Sequence, residues 1–341
     1  MNILIVGPSW VGDTVISQSL LKLLMQQHPA AQIDYLAPPW TLPLLARMPE
    51  VRRGIGNPFG HGALRLGARH AFGKTLRDRG YEQALVLPNS WKSALIPWSA
   101  GIPRRTGFRG EARWGLLNDV RPLDAAALPQ MVQRFAALAL PVGAALPSSL
   151  PMPAMQSTAA QQQALLARLG LNTGKNKDKP VVAFCPGAEY GPAKRWPEAH
   201  FAALARLLAA RGCAVWLVGS PRDHAVGETI AAASAGACIN LCGKTDIAEA
   251  ADLLAASRLV VSNDSGLMHI AAAVGRPVIA LYGSSSPQFT PPLGKDARIL
   301  SLNLECSPCF RRECPLGHFK CLKDLTPERV FTAIDFARIV T

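Results

Sequence analysis

The fold is decided most clearly by residues 258–282, which are RLVVSNDSGLMHIAAAVGRPVIALY. The apolar run at 259–261 is typical of a buried strand, and the apolar side chains of 265–274 recur with helical spacing. A second apolar run follows at 278–282. A strand, a helix and another strand in immediate succession predict a βαβ unit, the building block of a parallel sheet.

The same alternation extends through the second half of the chain. The predicted strands are Val181–Cys185, Ala214–Val218, Ile239–Cys242, Arg258–Ser262 and Val278–Tyr282. The predicted helices are Glu198–Arg211, Asp223–Ala233, Ile247–Ala256 and Ser265–Val274. This order predicts a doubly wound domain, in which helices cover both faces of a parallel sheet.

The first half shows a weaker form of the pattern. Its predicted strands are Asn2–Val6, Ile33–Leu36 and Ala84–Leu87. Its predicted helices are Asp13–Gln27, Leu64–Arg79, Gln130–Ala139 and Ala159–Leu169. Near the other end, Thr326 followed by a proline predicts the start of a last helix that extends to about Ile339.

The domain organisation follows from length and from one polar stretch. A chain of 341 residues fits two domains of about 150 residues each. Residues 172–180, NTGKNKDKP, are polar and lack periodicity, so they are predicted to be a linker. We therefore predict Rossmann-like domains at 1–171 and 181–325, followed by a helical segment at 326–341.

Composition excludes several classes of protein. Hydrophobic residues make up 49% and charged residues 17%, which excludes a disordered chain. The sequence contains no apolar stretch of the ~18–20 residues that a membrane span requires. The start, MNILIVGPSWVGD, lacks the features of a signal peptide. We expect a soluble cytoplasmic protein without a transmembrane segment.

Charge is unevenly distributed along the chain. The formal net charge is +13, and 13 basic residues against four acidic ones lie between Arg47 and Arg113. Such an excess indicates an anionic partner: a nucleic acid, an anionic membrane surface or a phosphorylated substrate. A solvated basic surface without a partner stays an alternative. A nucleic-acid partner is disfavoured, because aromatic residues make up only 6% of the chain. The basic stretch also shows no motif of alternating aromatic and basic residues on which bases could stack.

The eight cysteines fall into two groups. Four lie in or beside apolar runs and are predicted to be small buried side chains: Cys185, Cys213, Cys238 and Cys242. The other four, Cys306, Cys309, Cys314 and Cys321, have a spacing that fits a structural zinc site. A second Cys-x-x-Cys pair is missing, so a reduced cluster that packs a loop is the favoured alternative.

The loop after the first predicted strand is GPSWVGDT, residues 7–14. It has the outline of a phosphate-binding loop, but Asp13 occupies the lysine position and would repel a triphosphate. A carboxylate at the start of a helix stays ionised and is suited to act as a general base. The alternative is that Asp13 only caps the helix.

Three loops of the second half carry groups that suit a nucleotide, and two of them suit its phosphates. Residues 185–197, CPGAEYGPAKRWP, bring Lys194 and Arg195 to the start of a helix. Residues 262–269, SNDSGLMH, open a helix whose free amides face the strand ends, and they place His269 one turn inside. The Gly-Lys-Thr turn at 243–245 is a weaker signal for the edge of a nucleotide base.

These motifs together resemble the lipopolysaccharide heptosyltransferase family, glycosyltransferase family 9, and within it the type II members. The similarity rests on ILIVGPSWVGD, PGAEYGPAKRWP, GKT and NDSGLMHIA in this order, and on CSPCF with a later CP. It extends from residue 1 past Cys321.

The resemblance implies a GT-B fold, in which two Rossmann-like domains face a cleft and the last helix crosses back to the N-terminal domain. It implies inverting transfer of L-glycero-D-manno-heptose from ADP-heptose to the first heptose of the lipopolysaccharide inner core. Asp13 would be the catalytic base, and Lys194 would contact the donor phosphates. For the acidic contact to the ribose, Asp223 is no more than a candidate. The predicted donor-binding residues are Gly12, Gly187, Ala188, Lys194, Arg195, Gly243, Lys244, Thr245, Asp264, Ser265, Gly266, Leu267 and His269.

The acceptor is expected to be heptosyl-Kdo2-lipid A at the cytoplasmic face of the inner membrane, which the enzyme would visit peripherally. The predicted acceptor-binding residues are Asn89, Ser90, Trp91, Lys92, Arg104 and Arg105. The sequence contains no Asp-x-Asp triplet, the usual carboxylate clamp for a divalent cation, so transfer is expected to need no metal. Domain closure would then bring the base and the diphosphate site to one sugar.

Three alternatives stay open at this point. A related glycosyltransferase would share the fold and the roles but use another nucleotide sugar or core acceptor. A nicotinamide-dependent oxidoreductase needs a Gly-x-Gly-x-x-Gly turn, which neither first strand provides. A non-catalytic anion-binding or nucleic-acid-binding protein is favoured by the charge alone.

Overall fold

The structure, a computed structural model, describes residues 1–60, 62–171 and 179–340. The chain forms two compact units, Met1–Pro153 and Ala154–Thr341, and each unit contains a six-stranded sheet. All strand pairs of both sheets are parallel. The prediction of two doubly wound α/β domains is confirmed.

The first unit alternates strands with helices. Its strands are β1 (Asn2–Val6), β2 (Gln32–Ala37), β3 (Val51–Gly56), β4 (Gln83–Val86), β5 (Arg104–Phe108) and β6 (Asp119–Arg121). Its helices are α1 (Val11–Ile16), α2 (Gln18–Gln27), α3 (Leu42–Leu45), α4 (Leu66–Lys74), α5 (Trp91–Ser99) and α6 (Met131–Ala139). The sheet order is β3-β2-β1-β4-β5-β6. Because helices cover both faces, Ile3, Leu4 and Ile5 of the central strand are completely buried.

The second unit repeats this architecture. Its strands are β7 (Val181–Cys185), β8 (Ala214–Leu217), β9 (Cys238–Asn240), β10 (Leu259–Asn263), β11 (Val278–Leu281) and β12 (Ala297–Leu300). Its helices are α7 (Ala159–Arg168), α8 (Glu198–Ala210), α9 (His224–Ala233), α10 (Ile247–Ala256), α11 (Gly266–Ala273), α12 (Lys320–Lys323), α13 (Pro327–Thr332) and α14 (Ala337–Val340). The sheet order is β12-β11-β10-β7-β8-β9.

Each sheet has one point at which the strand order reverses. In the first sheet β1 lies between β2 and β4, and in the second β7 lies between β8 and β10. Ligands of open parallel sheets bind at such a point, outside the carboxyl ends of the strands. The sheet order therefore directs attention to the loops after β1 and β4 in one unit, and after β7 and β10 in the other.

Four strands were missed by the sequence analysis: β3, β5, β6 and β12. Two of them carry paired arginines, Arg52 and Arg53 in β3 and Arg104 and Arg105 in β5. These were attributed to a basic surface instead of to strands. Charged side chains are common on exposed strand edges, and β3 is an edge strand of its sheet.

The boundary between the units differs from the predicted one. Residues 154–168 belong to the second unit, where Met155 N donates to the Ala273 carbonyl at 2.8 Å and α7 packs on α10. The boundary lies at residues 153 and 154, whereas the linker was expected at 172–180. Most of that predicted linker, residues 172–178, lies outside the described residues.

The last segment also differs from its prediction. The expected single helix from residue 326 to about 339 consists of α13 and α14 with a break between them. Val330, Ile334 and Ile339 are buried in the hydrophobic core of the second unit, and α13 packs on α8. These contacts belong to the second unit, and the implied crossing of the last helix to the first unit stays a prediction.

Candidate functional site

The second unit holds a partly buried ion pair at its switch point. Lys194 ends a short 3₁₀ turn in the loop after β7, and Asp264 directly follows β10. The Lys194 Nζ and Asp264 Oδ2 atoms are 2.6 Å apart, with side chains 19% and 6% exposed. The pair therefore fixes a cation at the carboxyl edge of the sheet, and a lysine cation is a group that suits phosphate oxygens.

Asn263, the last residue of β10, holds the loop after β7 in place. Its side-chain Nδ2 donates to the Pro186 carbonyl at 2.6 Å, and its Oδ1 accepts from Trp196 N at 3.0 Å. Both ends of the loop that carries Lys194 are thus anchored to the neighbouring strand. Asn263 had no predicted role of its own, because the two contacts join residues 67 and 77 positions apart.

His269 lies inside α11 and is 5% exposed. Its Nδ1 atom is buried and has no hydrogen-bond partner among the described residues. Burial, and to a smaller extent the nearby Lys194 cation, lowers the pKa of His269 to about 4, although Asp264 acts in the opposite direction. At neutral pH the ring is uncharged, so it offers a hydrogen bond to a ligand but no positive charge.

The start of α11 is formed as the sequence predicted. Ser265 is the extended N-cap residue, and Gly266 and Leu267 form the first turn. The Ser265 hydroxyl lies 3.3 Å from the hydroxyl of Ser262. The first amides of an eight-residue helix thus point out at the same sheet edge as Lys194, and they add donors for an anion.

Gly187 shows why glycine is needed directly after β7. A Cβ atom at this position would lie 2.4 Å from Oδ1 of Asp223, so no larger residue fits without a shift. The Asp223 Oδ2 atom accepts from the amide and hydroxyl of Ser220, at 2.9 and 2.7 Å. Asp223, the candidate ribose contact, therefore lies against the loop after β7. One of its carboxylate oxygens already accepts hydrogen bonds from Ser220 in the same turn.

The remaining predicted donor residues lie on the loops after β7 and β9. Ala188 is buried and its carbonyl accepts from the exposed Arg195 at 3.4 Å. Gly243 has φ of +78°, a conformation that favours glycine. Lys244 is exposed, and the Thr245 hydroxyl is buried without a partner in the described chain.

In the first unit, Asp13 lies in the first turn of α1, next to Gly12. A Cβ atom at Gly7, directly after β1, would lie 2.1 Å from the ring of Tyr35, so glycine lets the chain pass this ring. Burial raises the pKa of Tyr35, and the negative charge of Asp13 raises it further. The phenol is thus a neutral hydrogen-bonding group, 2.7 Å from the Ser17 hydroxyl. Ser17 divides the predicted helix 13–27 into α1 and α2.

Of the predicted acceptor residues, Asn89 and Ser90 lie in the loop after β4, and Trp91 and Lys92 begin α5. The geometry of this loop depends on Arg113, which sequence analysis did not single out. The Arg113 guanidinium is buried and donates to the Pro88 carbonyl at 2.6 Å and to the Phe108 carbonyl. The loops after β4 and β5 are thereby joined at the carboxyl edge of the first sheet.

Arg104 and Arg105 are placed differently from their prediction as acceptor residues. They begin β5, so they lie at the amino edge of the parallel sheet, opposite the edge that carries the loop after β4. Arg104 pairs with Asp119 at 3.0 Å, and Arg105 donates to the carbonyls of Leu116 and Ile102. Both guanidinium groups are thus engaged in contacts within the first unit. Arg109, which follows the other end of β5, is exposed at the expected edge.

Comparison with known proteins agrees with this geometry. The sequence model of glycosyltransferase family 9 (heptosyltransferase) matches residues 69–320. The chain belongs to glycosyltransferase family 9. It is 47% identical over 344 residues to lipopolysaccharide heptosyltransferase 2 of Escherichia coli K12, with 98% of each chain covered. It is 49% identical over 338 residues to lipooligosaccharide heptosyltransferase 2 of Haemophilus influenzae, with 96% of each chain covered.

A solved structure extends this agreement to three dimensions. The ADP-heptose LPS heptosyltransferase II of Escherichia coli matches with a TM-score of 0.88 and 45% identity, over 100% of this chain and 99% of that one. Membership of the family confirms the prediction that the chain is a glycosyltransferase with a GT-B fold.

The late cysteines form a cluster next to this site. All four thiols are free and line a cavity of about 20 Å³ that also contacts His318 and Ser284. The Cys314 Sγ atom accepts from the Phe319 amide at 3.4 Å, and such backbone hydrogen bonds lower the pKa of Cys314. Across the described residues, no three His, Cys, Asp or Glu side chains are arranged to hold a metal ion. Of the described helices, none combines the length and apolar character of a membrane span.

Proposed function

We propose that this enzyme transfers L-glycero-D-manno-heptose from ADP-heptose to the first heptose of the lipopolysaccharide inner core, with inversion and without a metal ion. The observation that carries the proposal is the Lys194–Asp264 pair at the switch point of the second sheet, at 2.6 Å. It holds a cation where open parallel sheets bind nucleotides. The similarity to heptosyltransferase 2 enzymes over 96–98% of the chain supports the choice of sugar and acceptor.

The proposed roles follow from the chemistry of an inverting displacement. The acceptor hydroxyl attacks the anomeric carbon, a new C–O bond forms, and the bond from that carbon to the phosphate oxygen of ADP breaks. Asp13 accepts the proton of the attacking hydroxyl as general base. Lys194 and the amides of Ser265 and Gly266 stabilise the charge of the departing diphosphate, which makes a divalent cation unnecessary. The neutral His269 contributes at most a hydrogen bond.

The experiment is a transfer assay with purified enzyme, ADP-heptose and heptosyl-Kdo2-lipid A. We expect one added heptose by mass spectrometry, an inverted anomeric centre by NMR, and unchanged rates in EDTA. Higher activity with another nucleotide sugar, or on another core acceptor, would contradict the proposed substrates. A retained anomeric configuration, or activity that EDTA abolishes, would contradict the mechanism.

The role of Asp13 has its own test. Asp13→Asn preserves shape but cannot accept a proton, so turnover should fall by about 10²-fold or more. The affinity for ADP should stay unchanged, because the proposed diphosphate contacts lie in the second unit. Full turnover by this variant would remove Asp13 from the mechanism, and a loss of ADP affinity would assign it to binding instead.

A lipid acceptor requires the enzyme to reach a membrane surface, and we place this contact on α4 and α5. These helices pack together, and Leu64, Leu66 and Trp98 are 49%, 42% and 43% exposed on or beside them. The Trp98 ring lies 6.0 Å from that of His70 on α4, which makes the exposed residues one surface. Arg65, directly before α4, and Lys74, its last residue, are exposed, whereas Arg69 is buried. Apolar side chains among cations suit an anionic bilayer.

Vesicle sedimentation tests this membrane contact. The enzyme should bind vesicles with anionic lipid and should be released by salt, because cations near an anionic surface contribute about 1 kcal/mol each. The double variant Leu66→Ser and Trp98→Ser should bind several-fold less. Val142→Ser, a change at another exposed apolar residue of this unit, is the matched control. Equal binding by the double variant would exclude this surface.

A further inference from the structure

The segment from Ser307 to Arg312, within the cysteine-rich stretch, is fastened to the donor loops of the second unit. The Phe310 amide donates to the Ser284 carbonyl, in the loop after β11, at 2.7 Å. The Tyr190 hydroxyl, in the loop after β7, donates to the Phe310 carbonyl at 2.8 Å. These hydrogen bonds bring residues from far along the chain to the same sheet edge as Lys194.

Arg312 makes the closest approach to the loop that carries Lys194. Its carbonyl accepts from the Ala193 amide at 3.0 Å. A Cβ atom at Gly191 would lie 2.6 Å from this carbonyl oxygen, so the glycine is what allows the two backbones to meet. The position of Arg312 is therefore set by close backbone approaches to Gly191 and Ala193, directly before and within the 3₁₀ turn that ends at Lys194.

The side chains of Arg312 and Lys194 converge on one aromatic ring. The Arg312 Cζ atom lies 5.3 Å and the Lys194 Nζ atom 5.2 Å from the centroid of the Tyr190 ring. Both distances are within the range of cation–π attraction, which orients the cations without neutralising them. Arg312 thus adds a positive charge close to the ring that Lys194 also contacts.

The charge of Arg312 is available to a ligand. Lys194 is paired with Asp264, whereas Arg312 makes no ion pair within the described ranges. Glu189, the acid nearest in sequence to Tyr190, is paired with Arg222. The exposed Arg312 guanidinium thus offers its planar set of N–H donors, whose geometry matches two phosphate oxygens at once.

We propose that Arg312 is a further diphosphate-binding residue of the donor site, positioned by Tyr190 beside Lys194. The inference rests on the proposed function, because it takes the ligand to be a nucleoside diphosphate or its sugar derivative. Arg312 binds the terminal phosphate, the group that separates ADP from AMP. It also stabilises the charge that this phosphate gains when the sugar departs.

Calorimetric titration of the full chain with ADP and with AMP tests this role. Arg312→Gln should weaken ADP binding about tenfold or more, as expected for the loss of charge-assisted hydrogen bonds, and AMP binding less than twofold. Arg312→Lys should recover part of the ADP affinity, because it restores the charge but not the planar fork. Arg311→Gln is the matched control, since it removes the neighbouring exposed charge, and it should bind ADP as the wild type does.

Three results would overturn the inference: unchanged ADP affinity in Arg312→Gln, equal weakening for ADP and AMP, or equal weakening in Arg311→Gln. Circular dichroism spectra and melting temperatures matching the wild type would show that the variants are folded. If the wild type prefers a nucleoside diphosphate with another base, the proposed donor is wrong. The role of Arg312 is then tested in the same way, by comparing the diphosphate and the monophosphate of that nucleoside. If the wild type binds no nucleoside diphosphate, both proposals fail.

Discussion

His269 should make the stability of the enzyme depend on pH between 4 and 6.5. The ordinary pKa of 6.5 applies to the unfolded chain, whereas burial lowers it to about 4 in the folded one. As the pH falls below 6.5, the unfolded chain binds a proton at this ring and the folded chain does not, so stability decreases. Near pH 4 the His269 ring of the folded chain is protonated too, so this ring lowers the stability no further at still lower pH. Above about pH 7 the ring has no effect.

The size of the effect follows from the two pKa values. Each pKa unit is worth ~1.4 kcal/mol, so the complete loss is about 3 kcal/mol, and about 2 kcal/mol of it is reached by pH 5. Urea unfolding of the wild type and of His269→Gln at pH 7.5 and pH 5 measures it. We expect the stability of the wild type relative to the variant to drop by about 2 kcal/mol. The same drop in both proteins would refute the reasoning.

A second measurement tests the physical cause. The Lys194 cation helps to lower the pKa of His269, so Lys194→Met should raise this pKa in an NMR titration of the imidazole. The value should stay below 6.5, because burial is the larger cause. An unchanged or lower pKa in Lys194→Met would show that the two side chains do not interact as the structure indicates.

Three further predictions concern other parts of the molecule. Gly187→Ala should lower the free energy of unfolding by about 1–3 kcal/mol, because its methyl group would meet the Asp223 carboxylate; an unchanged urea midpoint would contradict this. Arg113→Met leaves buried carbonyls without donors and should cost about 1–3 kcal/mol in the same assay, whereas an unaltered transition would argue against its anchoring role. In the native enzyme, a thiol reagent should modify the exposed Cys306 well before the buried Cys185, and equal rates would speak against the described burial.

Much of the second unit could be predicted because its strands are buried on both faces. Such strands are continuous apolar runs, and the predicted strand Val181–Cys185 agrees with the structure to the residue. The predicted helix Ile247–Ala256 does so too. The loops with site residues could be located as well, since in a doubly wound sheet they follow the strands at the switch point. The sequence predicted the edge of the sheet at which Lys194 and Asp264 meet. It did not predict that they form an ion pair.

The rest depended on contacts between distant residues, which local patterns do not report. Arg104 and Arg105 were assigned to the acceptor on charge alone, but their place at the beginning of β5 puts them at the other edge. Arg113 and Asn263 anchor loops through hydrogen bonds to residues far along the chain. Arg312 gave no signal, because its segment contains neither a strand nor a helix.

The attachment of α7 to the second unit has a practical consequence for chimaeric enzymes. The Ser157 hydroxyl donates to Asp252 at 2.7 Å, and Leu165 is buried. A gene fusion that exchanged halves at the polar stretch before Val181 would separate this helix from α10 and pair it with a foreign sequence. A crossover between Pro153 and Ala154 keeps α7 with the half on which it packs, so hybrids joined there should fold. Hybrids joined directly before Val181 should precipitate.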